Sequence, residues 1–244
     1  MNKQRKVLLG VLLTTSTIFT GCGNVKKTVS NKQASSSSTI NEQEITSPTL
    51  NYLGHSSVKI KTSDGLVIYI DPAFGEDYSE PADIVFITHF HDDHYNLGKI
   101  STDKKYELVT PKEALKDGEY QKLDVMGVNV ESVPAYNSNH LVTECVGYIL
   151  EFDGIKLYHA GDTSKIKEMS DLAAKNINYA LLPMDVVYNM GPEEATEVAT
   201  IIKAKKYIPI HTGPDGIFSQ ENVDKFIVDN KIVLQPGTKI DFKK

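Results

Sequence analysis

The stretch Asp83-Ile84-Val85-Phe86-Ile87-Thr88-His89-Phe90-His91-Asp92-Asp93-His94 organises the chain. It begins as an apolar, β-branched run, the pattern of a buried strand. It then ends abruptly in three histidines and two aspartates. Residues two apart in an extended segment point the same way, so His89, His91 and Asp93 project together. Asp93 and His94 are adjacent, and both face one centre only if the chain turns there into Tyr95-Asn96-Leu97-Gly98. Histidines and acids at such spacing have the composition of half a metal site; the bland alternative is a histidine-rich loop.

The cluster resembles the H-x-H-x-D-H signature of the metallo-β-lactamase superfamily, matched by His89, His91, Asp93 and His94. Three further positions extend the resemblance. His140 follows Val133-Pro134-Ala135-Tyr136-Asn137, Asp162 lies in Tyr158-His159-Ala160-Gly161-Asp162-Thr163, and His211 lies in Ile208-Pro209-Ile210-His211-Thr212-Gly213. Leu53-Gly54-His55-Ser56, Ile70-Asp71-Pro72 and Glu193-Glu194-Ala195 belong to the same pattern. The resemblance implies an α+β fold, a four-layer αβ/βα sandwich with metals at one edge between two sheets. It also implies two divalent ions, zinc in the first place, with manganese or iron also compatible with such ligands. His89, His91 and His140 would hold one ion and Asp93, His94 and His211 the other. Asp162 would bridge, since each carboxylate oxygen can bind one ion. Gly161 would let the backbone approach closely. His159, three residues before the aspartate and inside a strand, reads better as a satisfied buried histidine. His55 either lines the site mouth as a catalytic residue or hydrogen-bonds in a turn.

Outward from these motifs, Met1–Lys6 is basic, Val7–Phe19 is mostly apolar, and Phe19-Thr20-Gly21-Cys22 resembles a bacterial lipobox. Residues 1–21 therefore read as a lipoprotein signal peptide, with Cys22 as the lipidated residue. Residues 22–48 are rich in Ser, Thr, Asn and Lys and read as a flexible tether. Residues 49–244 suffice for one sizeable core. The formal charge is −6, and removing Lys3, Arg5 and Lys6 makes the chain more acidic still. That balance argues against nucleic acid as a partner. The chain has two cysteines, Cys22 and Cys145, so no disulfide framework is expected.

Strands are expected at Leu50–Leu53, Ser57–Lys61, Leu66–Ile70, Asp83–Thr88, Tyr106–Val109, Val125–Pro134, Val146–Phe152, Ile155–His159, Tyr179–Leu182, Tyr207–Ile210, Ile232–Leu234 and Lys239–Phe242. Helices are expected at Pro111, Ile166–Lys175, from Pro192 to about Lys203, and Gln220–Asp229. Layer logic packs two mixed sheets together with helices outside.

The motifs are most similar to the compact metal-dependent hydrolases of the superfamily, whose relatives include bacterial ascorbate-phosphate lactonase and N-acyl-phosphatidylethanolamine phospholipases. They imply a membrane-tethered hydrolase of small molecules, on the extracytoplasmic side, held to the membrane by the lipid on Cys22. A metal-bridging hydroxide would attack an ester, phosphoester, lactone or amide bond, with either Asp93 or a metal-bound water passing a proton to the leaving group. Tyr136 and Tyr188 are secondary candidates for oxyanion donors, and the helix starting at Pro192 for an anion site. Two other readings stand beside this one: a true β-lactamase, and a non-catalytic metal- or ligand-binding surface lipoprotein.

Overall fold

The computed structural model describes residues 47–244. The signal peptide, Cys22 and nearly all of the tether lie outside the described residues.

Five strands open the domain: β1 (Thr49–Gly54), β2 (Ser57–Lys61), β3 (Val67–Ile70), β4 (Ile84–Phe86) and β5 (Glu107–Val109). A single helical turn, α1 (Pro111–Ala114), follows, with Thr110 and Glu113 forming a reciprocal cap. A small hairpin, β6 (Leu115–Lys116) and β7 (Glu119–Tyr120), leads into the second sheet. That sheet comprises β8 (Lys122–Val125), β9 (Val128–Pro134), β10 (Val146–Phe152), β11 (Ile155–His159), β12 (Tyr179–Pro183) and β13 (Lys206–Ile210). Helix α2 (Pro192–Ile202) joins β12 to β13, and α3 (Gln220–Lys225) comes after β13. The last strand, β14 (Thr238–Asp241), returns to the first sheet beside β1. The sheet orders are β14-β1-β2-β3-β4-β5 and β13-β12-β11-β10-β9-β8.

The strands alternate, and that alternation builds the layers. Ile68, Ile70, Ile84 and Phe86 point between the sheets and meet Tyr148, Leu150, Leu181 and Ile208 from the other side. Val67, Tyr69, Val85 and Ile87 point outward into a separate apolar layer. Phe86 and Tyr148 touch at a ring separation of 5.2 Å. The Tyr148 hydroxyl donates to the carbonyl of Ile87, which pins the chain just before His89. On the second sheet, Ala180, Leu182 and Tyr207 face outward against α2.

The α+β sandwich is as expected, with one asymmetry. The outer face of the first sheet is covered by loops carrying Tyr78, Ala82 and Ile100 and by one 3₁₀ turn, Leu97–Lys99, instead of α-helices. Other elements differ from the sequence reading. Val125–Pro134 is a hairpin, because Met126 and Gly127 both adopt positive φ and reverse the chain. Lys167–Lys175 is 3₁₀, not α. Its buried Met169 and Leu172, preceded by buried Ile166, are spaced by three, which matches the 3₁₀ period. Segment 232–234 forms no strand; Leu234 packs into the core, and pairing there is one bridge from Lys231 to Tyr207. The helix from Gln220 stops at Lys225, short of Asp229.

Strands β3, β4 and β5 run parallel, as do β11, β12 and β13. Asp71, Thr88-His89, Asp162, Asp185 and His211 follow the carboxyl ends of β3, β4, β11, β12 and β13. Parallel strands bring such ends to one edge, where α/β proteins place their sites.

Candidate metal centre

Six of the seven histidines converge at that edge; His159 is the exception. Donor atoms cluster in three overlapping sets: His55, Asp93, His94 and His211; His89, His91 and His140; and His89, His94 and Asp162. The seven residues predicted as ligands are thus brought together. Asp162 sits among the imidazoles. Its Oδ1 lies 3.3 Å from His94 Nε2, and its Oδ2 lies 3.4 Å from both His140 Nε2 and His211 Nε2. Gly161 makes this placement feasible. A Cβ there would stand 2.9 Å from the Val146 carbonyl oxygen and 3.0 Å from Thr88 Cβ, and its φ is +61°.

The imidazoles are oriented from behind. Asp71 accepts from the Thr88 amide and hydroxyl and lies 2.8 Å from His94 Nδ1. Asp185 Oδ2 lies 2.7 Å from His211 Nδ1, off the axis of a hydrogen bond. Asp185 Oδ1 accepts from the amides of Val187, Tyr188 and Asn189. Thr88 Oγ1 is 3.0 Å from His89 Nδ1, and Asn137 Oδ1 is 2.9 Å from His140 Nδ1. His91 is exposed, and its ring touches those of His89 and His140. Asp71 (φ 47°) and His211 (φ 44°) are held in the left-handed region, as is His55 (φ 53°). Backbone strain of this kind, about 1–3 kcal/mol per residue, gathers where surrounding structure over-determines a site.

His55 is buried in the centre, not at its mouth. Its Nε2 donates to Asp93 Oδ2 at 3.1 Å, and its ring lies 3.5 Å from that of His211. Its carbonyl accepts from the Tyr52 hydroxyl and the His211 amide, so it also ties the two sheets. Both ring nitrogens of His159 are engaged, Nε2 donating to Ser56 O and Nδ1 accepting from the Gly161 amide. Tyr136 is turned away, with its hydroxyl on Glu168. Tyr188 lines the cavity above the centre; no residue at the α2 start does.

Charge and burial divide the site. Burial holds the His89 imidazole well below its usual range, and burial likewise lowers His140 and His55. Burial works in the same direction on His94, but the Asp162 and Asp71 carboxylates outweigh it and raise that group well above its usual range. For His211 the same contest, with Asp162 and Asp185, ends at about 9. Burial pushes the Asp162 carboxyl upward, yet His94 and His211 bring it well below the usual carboxylate range.

His94 Nε2, His211 Nε2 and Asp162 Oδ1 are buried without hydrogen-bond partners. Buried polar atoms are seldom left so. Together with imidazole and carboxylate chemistry, they fit divalent cations that would satisfy them. Above the centre opens a cavity of about 490 Å³, bordered by Phe74, Asp93, Asn139, Asp162, Tyr188 and Asp215.

Asp185 was missed in the sequence, although, like Asp162, it ends an apolar strand. Asp71 was noted only within a motif. Phe74 and Asp215 carried no signal, because they reach the cavity through loop geometry.

Residues 49–211 match the family model described as a β-lactamase superfamily domain. The chain is 31% identical over 216 residues to a UPF0173 metal-dependent hydrolase of Thermococcus onnurineus, covering 76% of this chain and 96% of that one. A UPF0173 metal-dependent hydrolase of Enterococcus faecalis is 30% identical over 217 residues, covering 77% and 96%. Among solved structures, Igni18, a metallo hydrolase from Ignicoccus hospitalis, superposes with a TM-score of 0.63 at 24% identity, over 82% of this chain and all of that one. The chain therefore belongs to the β-lactamase superfamily, in its family of UPF0173 metal-dependent hydrolases.

Proposed function

We propose that this hydrolase uses two divalent ions to cleave an ester, phosphoester, lactone or amide bond in a small molecule. The observation that carries this reading is Asp162, whose two oxygens face imidazoles of both histidine sets, with Oδ1 unsatisfied. His89, His91 and His140 would hold one ion, Asp93, His94 and His211 the other, and Asp162 both. Bound there, the ions would supply Lewis acidity and lower the pKa of water toward about 7.

The chain's own groups supply the rest. Partial burial pushes the Asp93 carboxyl upward, but the His55 N–H and the His94 charge hold it well below the usual carboxylate range. An ionised Asp93 suits a metal ligand, and, being a weak base, it would hold a transferred proton only transiently. Its Oδ2 would accept a proton from the attacking water and return it to the leaving oxygen or nitrogen. His55 holds that oxygen in place through its Nε2–H. Phe74, 4.6 Å from the His55 ring, shields this side from solvent.

Elemental analysis beside a hydrolase panel, on metal-replete and chelator-stripped protein, tests the reading. Two ions per chain and turnover only in the replete form are expected. Full activity with one ion, or with none, overturns it.

The motif Gly21-Cys22 after the apolar run supports a lipid anchor, with the protein on the extracytoplasmic side. Cys22→Ser is expected to release the protein into the medium or leave an unprocessed precursor. Unchanged membrane fractionation and an unchanged mature mass overturn the anchor.

A further inference from the structure

A second cavity, of about 550 Å³, lies beside the metal centre. It shares His91, Asn139 and His140 with the cavity above the centre, so the two adjoin. His89 also borders it. Away from the histidines one side of it is carbon, made by Phe90, Pro111, Leu115, Leu141 and buried Cys145, while Asn139, Thr143, Glu144 and Lys112 supply polar groups elsewhere in the lining. Lys112 lays its ammonium 5.6 Å from the Phe90 ring centroid, so its aliphatic stem adds to the same wall. The one cation of the lining is matched by one anion, Glu144, which leaves no net charge to select an ionic group. Phe90 and Leu141, 43% and 59% exposed, leave this side of the cavity open to solvent. The size falls within the usual range of small-molecule pockets, roughly 300–1,000 Å³.

We infer that this cavity is a substrate subsite for a neutral alkyl or aryl chain attached to the scissile group. The inference rests on the metal-dependent hydrolase reading of the adjacent centre and narrows it: the substrate is amphiphilic, its polar bond over the histidines and its apolar chain between α1 and the Leu141 loop. Along the side made by Phe90, Pro111, Leu115 and Leu141, a chain bearing hydroxyls or phosphates would lose hydration against carbon.

A series of n-alkyl hydroxamic acids, from acetohydroxamic to octanohydroxamic acid, tests this by calorimetry on metal-loaded full chain. The hydroxamate chelates a metal ion, so binding is read without turnover. Each added methylene is expected to tighten binding about fourfold until the cavity is full, the value of a fully buried methylene. Leu141→Asp is expected to flatten that gain to near unity, and Leu141→Met to restore it. Leu141 is exposed, so neither change threatens the core, and thermal unfolding of both variants verifies this. Equal affinity for every chain length in the wild type, or an undiminished gain in Leu141→Asp, overturns the subsite but leaves the metal reading intact. Failure of every hydroxamate to bind the loaded protein overturns the metal reading, and the subsite with it.

Discussion

The two halves of the metal centre are built alike and supported differently. In the deep half, His94 and His211 are fully buried, and each imidazole has a carboxylate behind it, Asp71 and Asp185. In the shallow half, His89 leans on the Thr88 hydroxyl and His140 on the Asn137 amide, both neutral, and His91 is open to solvent. A carboxylate behind an imidazole fixes its orientation and raises its basicity; a neutral oxygen does only the first. If both halves hold an ion, as proposed, the contrast predicts that the ion at His94 and His211 is held more tightly than the one at His89, His91 and His140.

The strongest way to break the comparison is to remove what the halves share. Asp162→Asn keeps the size but removes the charge that offsets two dications. The shallow ion is expected to leave first and hydrolysis to fall by more than the ~10–100-fold typical of groups behind a ligand. Metal content and turnover of the same sample measure this. Next come Asp71→Asn and Asp185→Asn. Each is expected to weaken the deep ion about 10–100-fold; Asp185→Asn should leave the shallow one nearly unchanged, while Asp71→Asn, which also frees the Thr88 hydroxyl behind His89, should weaken it to a smaller extent. Competition with graded chelators resolves the two affinities, and equal weakening of both would erase the distinction.

Acidity sharpens the comparison further. The Asp162 and Asp185 carboxylates push the His211 imidazole up from 6.5 to about 9 in the metal-free protein. An ion must displace that proton and the one on His94, which is also raised, so apparent affinity of the deep ion is expected to rise with pH, up to about tenfold per unit for each proton displaced. The stability linkage runs the other way. The folded pKa lies above the unfolded one, so the stability His211 contributes is complete below about pH 6.5 and lost as pH rises through 9. Stripped protein should therefore melt at lower temperature at pH 9 than at pH 6.5, while loaded protein should not show this loss. The smallest effect is expected from Asn137→Ala, which removes only a neutral support from His140. A loss of less than about tenfold, confined to the shallow ion, is predicted in the same chelator competition.

Much of this was legible in the sequence. His89, His91, Asp93 and His94 announced themselves, because ligand spacing on a strand end is chemically rare. Ile68/Ile70 against Val67/Tyr69 show why the sandwich could be expected: every residue of that strand is buried, on two faces, so the sheet needs a layer on each side. What covers the outer face was not legible. Tyr78, Ala82 and Ile100 are isolated apolar residues in loops, with no period to read. The 3₁₀ segment after Ile166 was read as α because apolar residues spaced by three satisfy both patterns. Asp185 escaped notice because a single acid after a strand is common, and only the fold shows that it backs His211. His55 sits where a left-handed turn and the opposite sheet's His211 meet, a contact across most of the described chain.

The ligands and the carboxylates behind them are drawn from distant parts of the polypeptide. Asp71 and the His89–His94 loop come from the first sheet, His140, Asp162, Asp185 and His211 from the second. The first sheet is itself completed only by β14, near the end of the chain. A growing or refolding chain thus holds, for most of its history, a loose cluster of donors that no single half can close. If the ions bind as proposed, complete metal capture is expected late, as a molecular receipt for the docking of both sheets. In refolding experiments it should trail the recovery of β-sheet circular dichroism, with the His94–His211 ion arriving before its neighbour.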